Sequence, residues 1–198
     1  SDFRCYNITV NGRSVKRPYS DNFQVSPNTT ETINDIEFFS FAGVDNEPLA
    51  LGWYAKTNFQ ASLTSTLNCR GIRVRKGNIE VGDEHLLDGL FTERRFSSWQ
   101  VGEIHILSNR LKPNARRDGF EQSPNFERFL EQASLLGRHL SSLCRKSSVE
   151  RTAKIRVEST LNKLEQVLTS SVTYLDEEHY EQALQDASKS LQSIEKSA

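Results

Sequence analysis

Residues 71–107 read GIRVRKGNIEVGDEHLLDGLFTERRFSSWQVGEIHIL and contain the segments that decide the fold class. The dipeptide Lys76-Gly77 separates two short runs, residues 72–75 and 78–81, and predicts a β-hairpin. Apolar and basic residues alternate in the first run. This alternation predicts that its isoleucine and valine face a core while its two arginines face water.

The rest of this stretch predicts a helix and a further strand. Residues 85–91 are typical of a short helix, and residues 101–107 alternate around Ile104 and Ile106, which predicts a buried strand. Strands combined with a short helix favour an α+β domain with a mixed β-sheet.

The residues before position 71 predict two further hairpins. Asn11-Gly12 is a dipeptide typical of the type I′ turn, and DNEP at positions 45–48 is a second turn signal. The predicted elements are strands 3–10 and 14–17, a polar loop over 19–33, and strands 36–44 and 49–56.

The sequence becomes helical from Ser123 onward. Only one proline and one glycine follow, and Ser123-Pro124 supplies an N-cap and a first helical residue. We therefore predict an α+β domain over residues 1–122 and an antiparallel helical bundle over 123–198. Each of its three predicted helices has an apolar stripe. The first stripe is Phe126, Phe129, Leu130, Ala133, Leu136, Leu140 and Leu143. The second helix follows a capping box at Ser147 and Glu150, with the stripe Ala153, Val157, Leu161, Leu164 and Leu168. The third follows a cap at Asp176, with the stripe Tyr180, Ala183, Leu184, Ala187, Leu191 and Ile194.

Composition restricts the function classes. The net charge is -1, which gives the whole chain no bias toward nucleic acid or acidic membranes, and no apolar run reaches the roughly 20 residues of a membrane helix. Three widely spaced cysteines, Cys5, Cys69 and Cys144, favour a reducing compartment, so a cytoplasmic location is expected. The chain begins at Ser1, which predicts a fragment of a longer protein.

Common catalytic and metal-binding motifs are missing from the sequence. It contains no C-x-x-C, H-E-x-x-H, G-x-S-x-G, phosphate-binding loop or G-x-G-x-x-G pattern. Its four histidines lie at least twenty residues apart, so no local pattern indicates metal ligation. No resident metal is expected.

The segment with the clearest chemistry is LKPNARRDGFEQ, residues 111–122. Two adjacent arginines follow a Pro-Asn turn, and an arginine on a rigid loop can bind phosphate through both arms of its guanidinium group. The alternative is a solvated basic turn whose arginines pair with Asp118 and Glu121. The spacing alone favours this alternative.

Three features together resemble the middle domain of the ninety-kilodalton heat-shock chaperones. They are GIRVRKGNIEVGDEHLLDGLF at 71–91, VGEIHILSNRLKPNARRDGFEQ at 101–122 and the amphipathic helix that follows. The chain is also similar to bacterial chaperone-like ATPases with G-I-R-x-R-x-G-N-I and P-N-x-R-R-D strings. In the chaperone family a loop of the form L-P-L-N-x-S-R-E carries an arginine to the γ-phosphate of ATP in the neighbouring domain.

The resemblance assigns roles to single residues of this loop. If Asn114 matches the asparagine of the family loop, Arg117 falls on the phosphate-sensing arginine and Asp118 on the acid after it. Glu121 falls where the family often has a glutamine near the phosphates. The loop departs from the family pattern at two positions: Pro113 comes one place later than the family proline, and Arg116 stands where the family has serine. The second departure leaves open which of the two arginines faces the nucleotide.

The resemblance also implies that the chain is part of a larger, multidomain ATPase. The fragment would be the transducer of an ATPase of the GHKL superfamily, with a βαβ topology shared with a ribosomal protein domain. ATP and Mg²⁺ would be bound by an N-terminal domain of the same protein, so this fragment alone would bind no cofactor and hydrolyse no ATP. Glu158 and Asn162 match E-x-x-x-N, but no D-x-G-x-G follows, so the match is interpreted as chance. The helical tail could form a homodimer or contact a protein client.

A binding module without catalysis is the alternative function. Residues 70–117 carry ten Lys or Arg against six Asp or Glu. Phe91, Phe96 and Trp99 lie among them and could stack on bases of a nucleic acid, or they could pack inside the domain. The same basic face could instead bind a protein.

Overall fold

The fold is known from a computed structural model that describes residues 8–170 and 177–195. The chain divides into two compact units, the first ending at Arg145 and the second beginning at Lys146. The described strands are β1 (Ile8–Val10), β2 (Arg13–Val15), β3 (Asn22–Ser26), β4 (Thr29–Thr32), β5 (Asp35–Ala42), β6 (Pro48–Lys56), β7 (Gly71–Lys76), β8 (Ile79–Glu80) and β9 (Val101–Ile106). The described α-helices are α1 (Pro124–Ser170) and α2 (Glu177–Glu195).

The α+β class is confirmed by a five-stranded mixed sheet. Its strand order is β5-β6-β9-β7-β8, and β9 pairs antiparallel with β6 and parallel with β7. The buried strand predicted over residues 101–107 is therefore the central strand. The connection from β7 to β9 contains two 3₁₀-helices, Asp88–Leu90 and Arg94–Trp99. The helix predicted over 85–91 is thus reduced to a single 3₁₀ turn.

Three predicted hairpins are present, and a fourth was missed. In the β1–β2 turn, Asn11 and Gly12 have φ angles of 50° and 75°, as a type I′ turn requires, whereas residues 3–7 lie outside the described residues. The loop predicted over 19–33 is wrong, because β3 and β4 form a hairpin there. Its strands are mostly polar; Phe23 and Val25 are buried in a second core cluster with Ala55, Leu63, Cys69 and Val101, and Glu31 is buried as well.

One face of the five-stranded sheet packs on the first part of α1. Ile72, Val74 and Ile104 belong to the same core cluster as Phe129 and Leu140. The first predicted helical stripe is confirmed, because the other members also lie in or against this core: Phe126, Leu130, Ala133, Leu136 and Leu143. The first compact unit consequently extends to Arg145, beyond the boundary at residue 122 that the sequence predicts.

The opposite face of the sheet carries buried ion pairs. The expectation that Arg73 and Arg75 face water is wrong, since Arg73 is only 9% exposed. Arg73 Nη1 lies 2.7 Å from Glu80 Oε1, and Arg75 Nε lies 2.7 Å from Glu103 Oε1. Carboxylates on neighbouring strands satisfy these guanidinium groups, which a pattern within one strand does not reveal.

Glu103 is the centre of this charged network. It is 1% exposed and accepts hydrogen bonds from Arg17, from Tyr19 Oη at 2.6 Å and from Arg75, while His105 Nε2 lies 2.8 Å from its Oε2. Burial alone would raise the pKa of Glu103, but these hydrogen bonds and the charge of Arg75 outweigh burial and lower the pKa to about 2. Glu103 thereby fixes the segment before β3 onto the sheet.

The predicted helix break at Ser147 is wrong, because α1 is continuous from Pro124 to Ser170. Thr152 Oγ1 donates to the carbonyl of Ser148 at 2.9 Å, one turn earlier, so a hydroxyl here bonds within the helix instead of capping a new one. The cap predicted at Asp176 lies outside the described residues. No helix among the described residues is both long and apolar enough to cross a membrane.

The second unit exposes several apolar side chains that the sequence predicts to face inward. Val157 is 38% exposed, Leu161 50%, Leu184 37% and Leu191 42%. Of the remaining stripe positions, Ala153 is exposed and Tyr180 is partly buried. The side chains of Leu164, Leu168, Ala183, Ala187 and Ile194 lie outside the described set.

Gly102→Ala should lower the free energy of unfolding by about 3 kcal/mol, because overpacking a central strand forces neighbours to move. A Cβ at Gly102 would collide with the backbone carbonyl of Trp53 and lie 3.0 Å from Tyr54 Cα. Gly89→Ala is the control, since a Cβ there meets nothing within 4 Å. Urea denaturation of both variants measures the difference, and equal stability of the two would contradict the packing of β9 against β6.

Glu103→Gln should lower the free energy of unfolding at neutral pH by about 3 kcal/mol, since it leaves the largely buried guanidinium group of Arg75 without its nearest counter-charge. The folded pKa of about 2 lies below the ordinary 4.5, so the carboxylate stabilises fully above about pH 4.5 and ever less as pH falls toward 2. The variant should therefore lose less stability than the parent over this range in acid denaturation. Glu131→Gln, at an exposed ion pair, is the control.

Candidate functional site

The candidate loop, residues 111–122, is a small hairpin between β9 and α1. Leu111 and Phe120 are buried at its base, and Pro113 pairs with Phe120 in an antiparallel bridge. The amide of Glu121 donates to the carbonyl of Lys112 at 2.9 Å. Two buried anchors and paired backbones hold the loop in one conformation.

The tip of the hairpin is braced from two sides. The amide of Arg117 donates to the carbonyl of Asn114 at 3.0 Å, and Asn114 Nδ2 donates to Asp118 Oδ1 at 2.7 Å. The carbonyl of Arg117 accepts a hydrogen bond of 2.7 Å from the amide of Gly82, in the turn after β8. The tip is therefore attached to the β7–β9 connection as well as to its own hairpin.

The two arginines at the tip differ in their partners. Arg116 Nη2 lies 2.8 Å from Asp118 Oδ2. The Arg117 side chain is exposed, and no ion-pair partner for it occurs among residues 8–170 and 177–195. The solvated turn predicted as the alternative therefore describes Arg116, whereas Arg117 keeps its charge available.

Arg117 also has an unusual backbone. Its φ angle is 59°, in the left-handed region that glycine and asparagine occupy more readily than long side chains. The turn would accept glycine at lower conformational cost. A costly conformation at a loop tip is commonly found where the side chain has a function.

The tip forms one wall of an open cleft of about 420 Å³. The other wall is the turn after β8, which contributes Gly82, Asp83 and His85. His85 Nδ1 lies 2.9 Å from Asp88 Oδ2. Sequence patterns did not predict this wall, because His85 has no other histidine nearby in the chain. The positive φ of Gly82, at 71°, is the local feature that turns the chain back toward the loop.

The predicted site residues are only partly brought together. Arg116, Arg117 and Asp118 line the cleft, and Asn114 supports it through its bond to Asp118. Glu121 is exposed at the base of the hairpin and is not part of the cleft lining. No cluster of three or more metal-ligating side chains occurs in the described part of the chain.

About half of the basic residues over 70–117 are paired with carboxylates, and the aromatic residues among them are buried or packed inside the domain. Phe91 and Phe96 are buried in the core, and Trp99 packs edge-to-face on Phe96 with ring centroids 5.6 Å apart. The prediction that these rings stack on nucleic-acid bases is therefore wrong, and the alternative prediction, that they pack inside the domain, is confirmed. Several of its arginines pair with carboxylates: Arg73, Arg75, Arg95, Arg110 and Arg116.

Comparisons with known proteins found no relatives. No family model, no curated protein and no solved structure matches this chain. The geometry of the cleft and its charges therefore provides the basis for a functional argument.

Arg117→Gly should raise the free energy of unfolding by about 0.5–1 kcal/mol, because relief of the left-handed strain exceeds the added freedom of the unfolded chain. Arg116→Gly is the matched control, since Arg116 does not have a positive φ angle and the change there should only destabilise. Thermal unfolding of both variants tests this. A loss of stability in Arg117→Gly similar to that of the control would show that the backbone at Arg117 is unstrained.

Proposed function

We propose that this chain is the transducer segment of a chaperone-like ATPase, and that the loop 111–122 presents Arg117 to the phosphates of ATP bound by another domain of the same protein. The observation that carries the proposal is the state of Arg117. It is exposed on a braced tip, beside an open cleft, in a costly backbone conformation. A guanidinium group so placed has the donors that a phosphate needs.

Arg117 is a better candidate than Arg116. Asp118 holds the guanidinium group of Arg116 at 2.8 Å, and a phosphate would have to displace this carboxylate. Asp118 also accepts from Asn114, so these residues form a support that keeps the tip rigid. A rigid tip lowers the cost of ordering an arginine on an incoming ligand.

Positioning and electrostatics are the roles we assign to this segment. Arg117 would neutralise charge that develops on the transferred phosphoryl group, while ATP and Mg²⁺ are held elsewhere. Asn114 and Asp118 would hold the backbone of the loop tip so that the Arg117 side chain stays directed at the phosphate. Glu121, at the base of the hairpin, is not part of the cleft lining, so we assign it no phosphate contact.

The remaining parts of the chain fit such a segment. The parallel pair β7–β9 supports the expected topology only in its strand direction, because the crossover between the two strands contains β8 and two 3₁₀-helices and no α-helix. Val149 and Leu161 are 68% and 50% exposed in the second unit, and we propose that this helical tail dimerises or contacts a protein client. Nucleic-acid binding is less well supported, because Phe91 and Phe96 are buried and many arginines are paired.

Arg117→Ala in the ATPase that contains this segment should leave ATP affinity and stability nearly unchanged but reduce kcat. Loss of a comparable arginine costs roughly 10³–10⁵ in rate, and we expect the lower end. Arg117→Lys should recover only part of the rate, since an ammonium group lacks the planar fork. Steady-state ATP hydrolysis and calorimetric ATP binding measure these effects.

Arg116→Ala is the matched control for this experiment. It removes an adjacent positive charge of the same loop but one that Asp118 already neutralises, so turnover should change much less. Full activity of Arg117→Ala would refute the proposed role. Slow turnover in Arg116→Ala alone would assign the phosphate contact to the other arginine.

A further inference from the structure

The first edge of the five-stranded sheet is β5, which pairs only with β6. At its end, the amide of Ala42 donates to Gln132 Oε1 at 3.0 Å, and the carbonyl of Ala42 accepts from Gln132 Nε2 at 2.7 Å. The side-chain amide of Gln132 thus takes the place of a neighbouring strand. The backbone groups of Ala42 therefore point away from β6.

Backbone groups alternate in direction along a strand, so every second residue of β5 points the same way as Ala42. The irregularity in the ladder places the extra residue, Leu49, in β6, which leaves the alternation of β5 intact. Phe38 and Ser40 therefore present their N–H and C=O groups outward. Neither residue has a hydrogen-bond partner on this side within residues 8–170 and 177–195.

The open stretch of the edge has limits at both ends. Ile36 N–H already donates to the side chain of Asp35 at 2.8 Å, and Gln132 occupies Ala42. Water or an extended segment can satisfy the backbone groups between these positions, whereas a helix cannot, because its donors and acceptors are already paired along its length. The edge is thus open from the carbonyl of Ile36 to Ser40.

Apolar side chains flank the open edge on both faces of the sheet. Phe38 is 77% exposed, and Ile36 and Leu51 lie on the same face with 43% and 41% exposure. On the other face, Leu135 is 59% exposed and lies one helical turn from Gln132, beside the edge. An exposed apolar edge strand of this length is a site for strand pairing.

We propose that a second copy of this chain pairs through β5, antiparallel, with Phe38 opposite Phe38 of the second copy. A twofold axis at Phe38 pairs Ile36 with Ser40, which keeps the pairing inside the open stretch and short of Gln132. The same axis brings the exposed phenylalanines together on one face, an arrangement that stabilises antiparallel pairs. This inference is independent of the proposed function.

Charge favours a second copy over a basic peptide. Asp35 and Glu37 are the acidic residues of β5, and Lys56 Nζ lies 3.6 Å and 2.9 Å from their carboxylates. Two copies therefore meet without unbalanced acidic rows, whereas a basic peptide would have to compete with Lys56 for these carboxylates. The opposite edge, β8, is only two residues long and offers no comparable stretch.

Amide hydrogen exchange, measured by NMR at low and at high protein concentration, tests this pairing at the edge itself. The Ser40 amide should exchange rapidly at low concentration and slow by about tenfold or more at high concentration, because an outward amide is protected only by a new partner. Association through the helical tail does not protect this amide. The measurement therefore separates the two surfaces.

Phe38→Lys should abolish the concentration-dependent protection of Ser40 without changing thermal stability, since its side chain is already 77% exposed. Ser40→Pro removes an outward donor and should abolish the protection of residue 38. Ile79→Lys, on the opposite edge and 49% exposed, is the control and should retain the protection.

Several outcomes would overturn the proposal. Exchange of Ser40 that is independent of concentration would exclude pairing of two copies through β5. Equal loss of protection in Ile79→Lys would show that the effect is not specific to this edge. Protection that appears only when a different protein or peptide is added would assign the edge to that partner instead.

Discussion

The buried carboxylate of Glu103 is the interaction on which the rest of this structure depends. It lies on the central strand and accepts hydrogen bonds from Arg17, Tyr19 and Arg75. Removing a carboxylate from water is costly, and it is stabilising here only because every partner is present at once. The face of the sheet opposite α1 therefore combines buried charge with a smaller apolar cluster, whereas the face against α1 is held by apolar packing.

The sheet held in this way positions the candidate site. The central strand β9 runs parallel to β7, and the chain then enters the loop 111–122 before α1 begins at Pro124. Because the turn after β8 reaches the loop through the Gly82–Arg117 hydrogen bond, the two walls of the cleft come from separate connections of the same sheet. The rigidity of the sheet is thus transmitted to Arg117.

Several arginines of the first unit pair with carboxylates, which distinguishes them from Arg117. Arg73 and Arg75 bind buried carboxylates, and Arg116 binds Asp118 in water, where such a pair contributes little to stability. Arg117 has no such partner in the described part of the chain and occupies a conformation that favours glycine. These two features together are the basis on which we propose a phosphate contact for Arg117.

Local chemistry determined the parts of this protein that sequence patterns predicted well. A type I′ turn follows from Asn11-Gly12, and the first stripe of α1 follows from apolar spacing, because both depend on residues close in the chain. Within the candidate site, the sequence located the loop and its two arginines. It did not find the opposing wall at His85, nor which arginine is paired.

Only the tertiary structure decided the remaining features, and the reason is the sequence separation of the partners. Arg17 and Glu103 are 86 residues apart, so no local pattern shows that they meet. The hairpin β3–β4 forms in a polar segment because Phe23 and Val25 find a distant apolar cluster. In each case the contact energy comes from groups that the fold, and not the neighbouring residues, brings together.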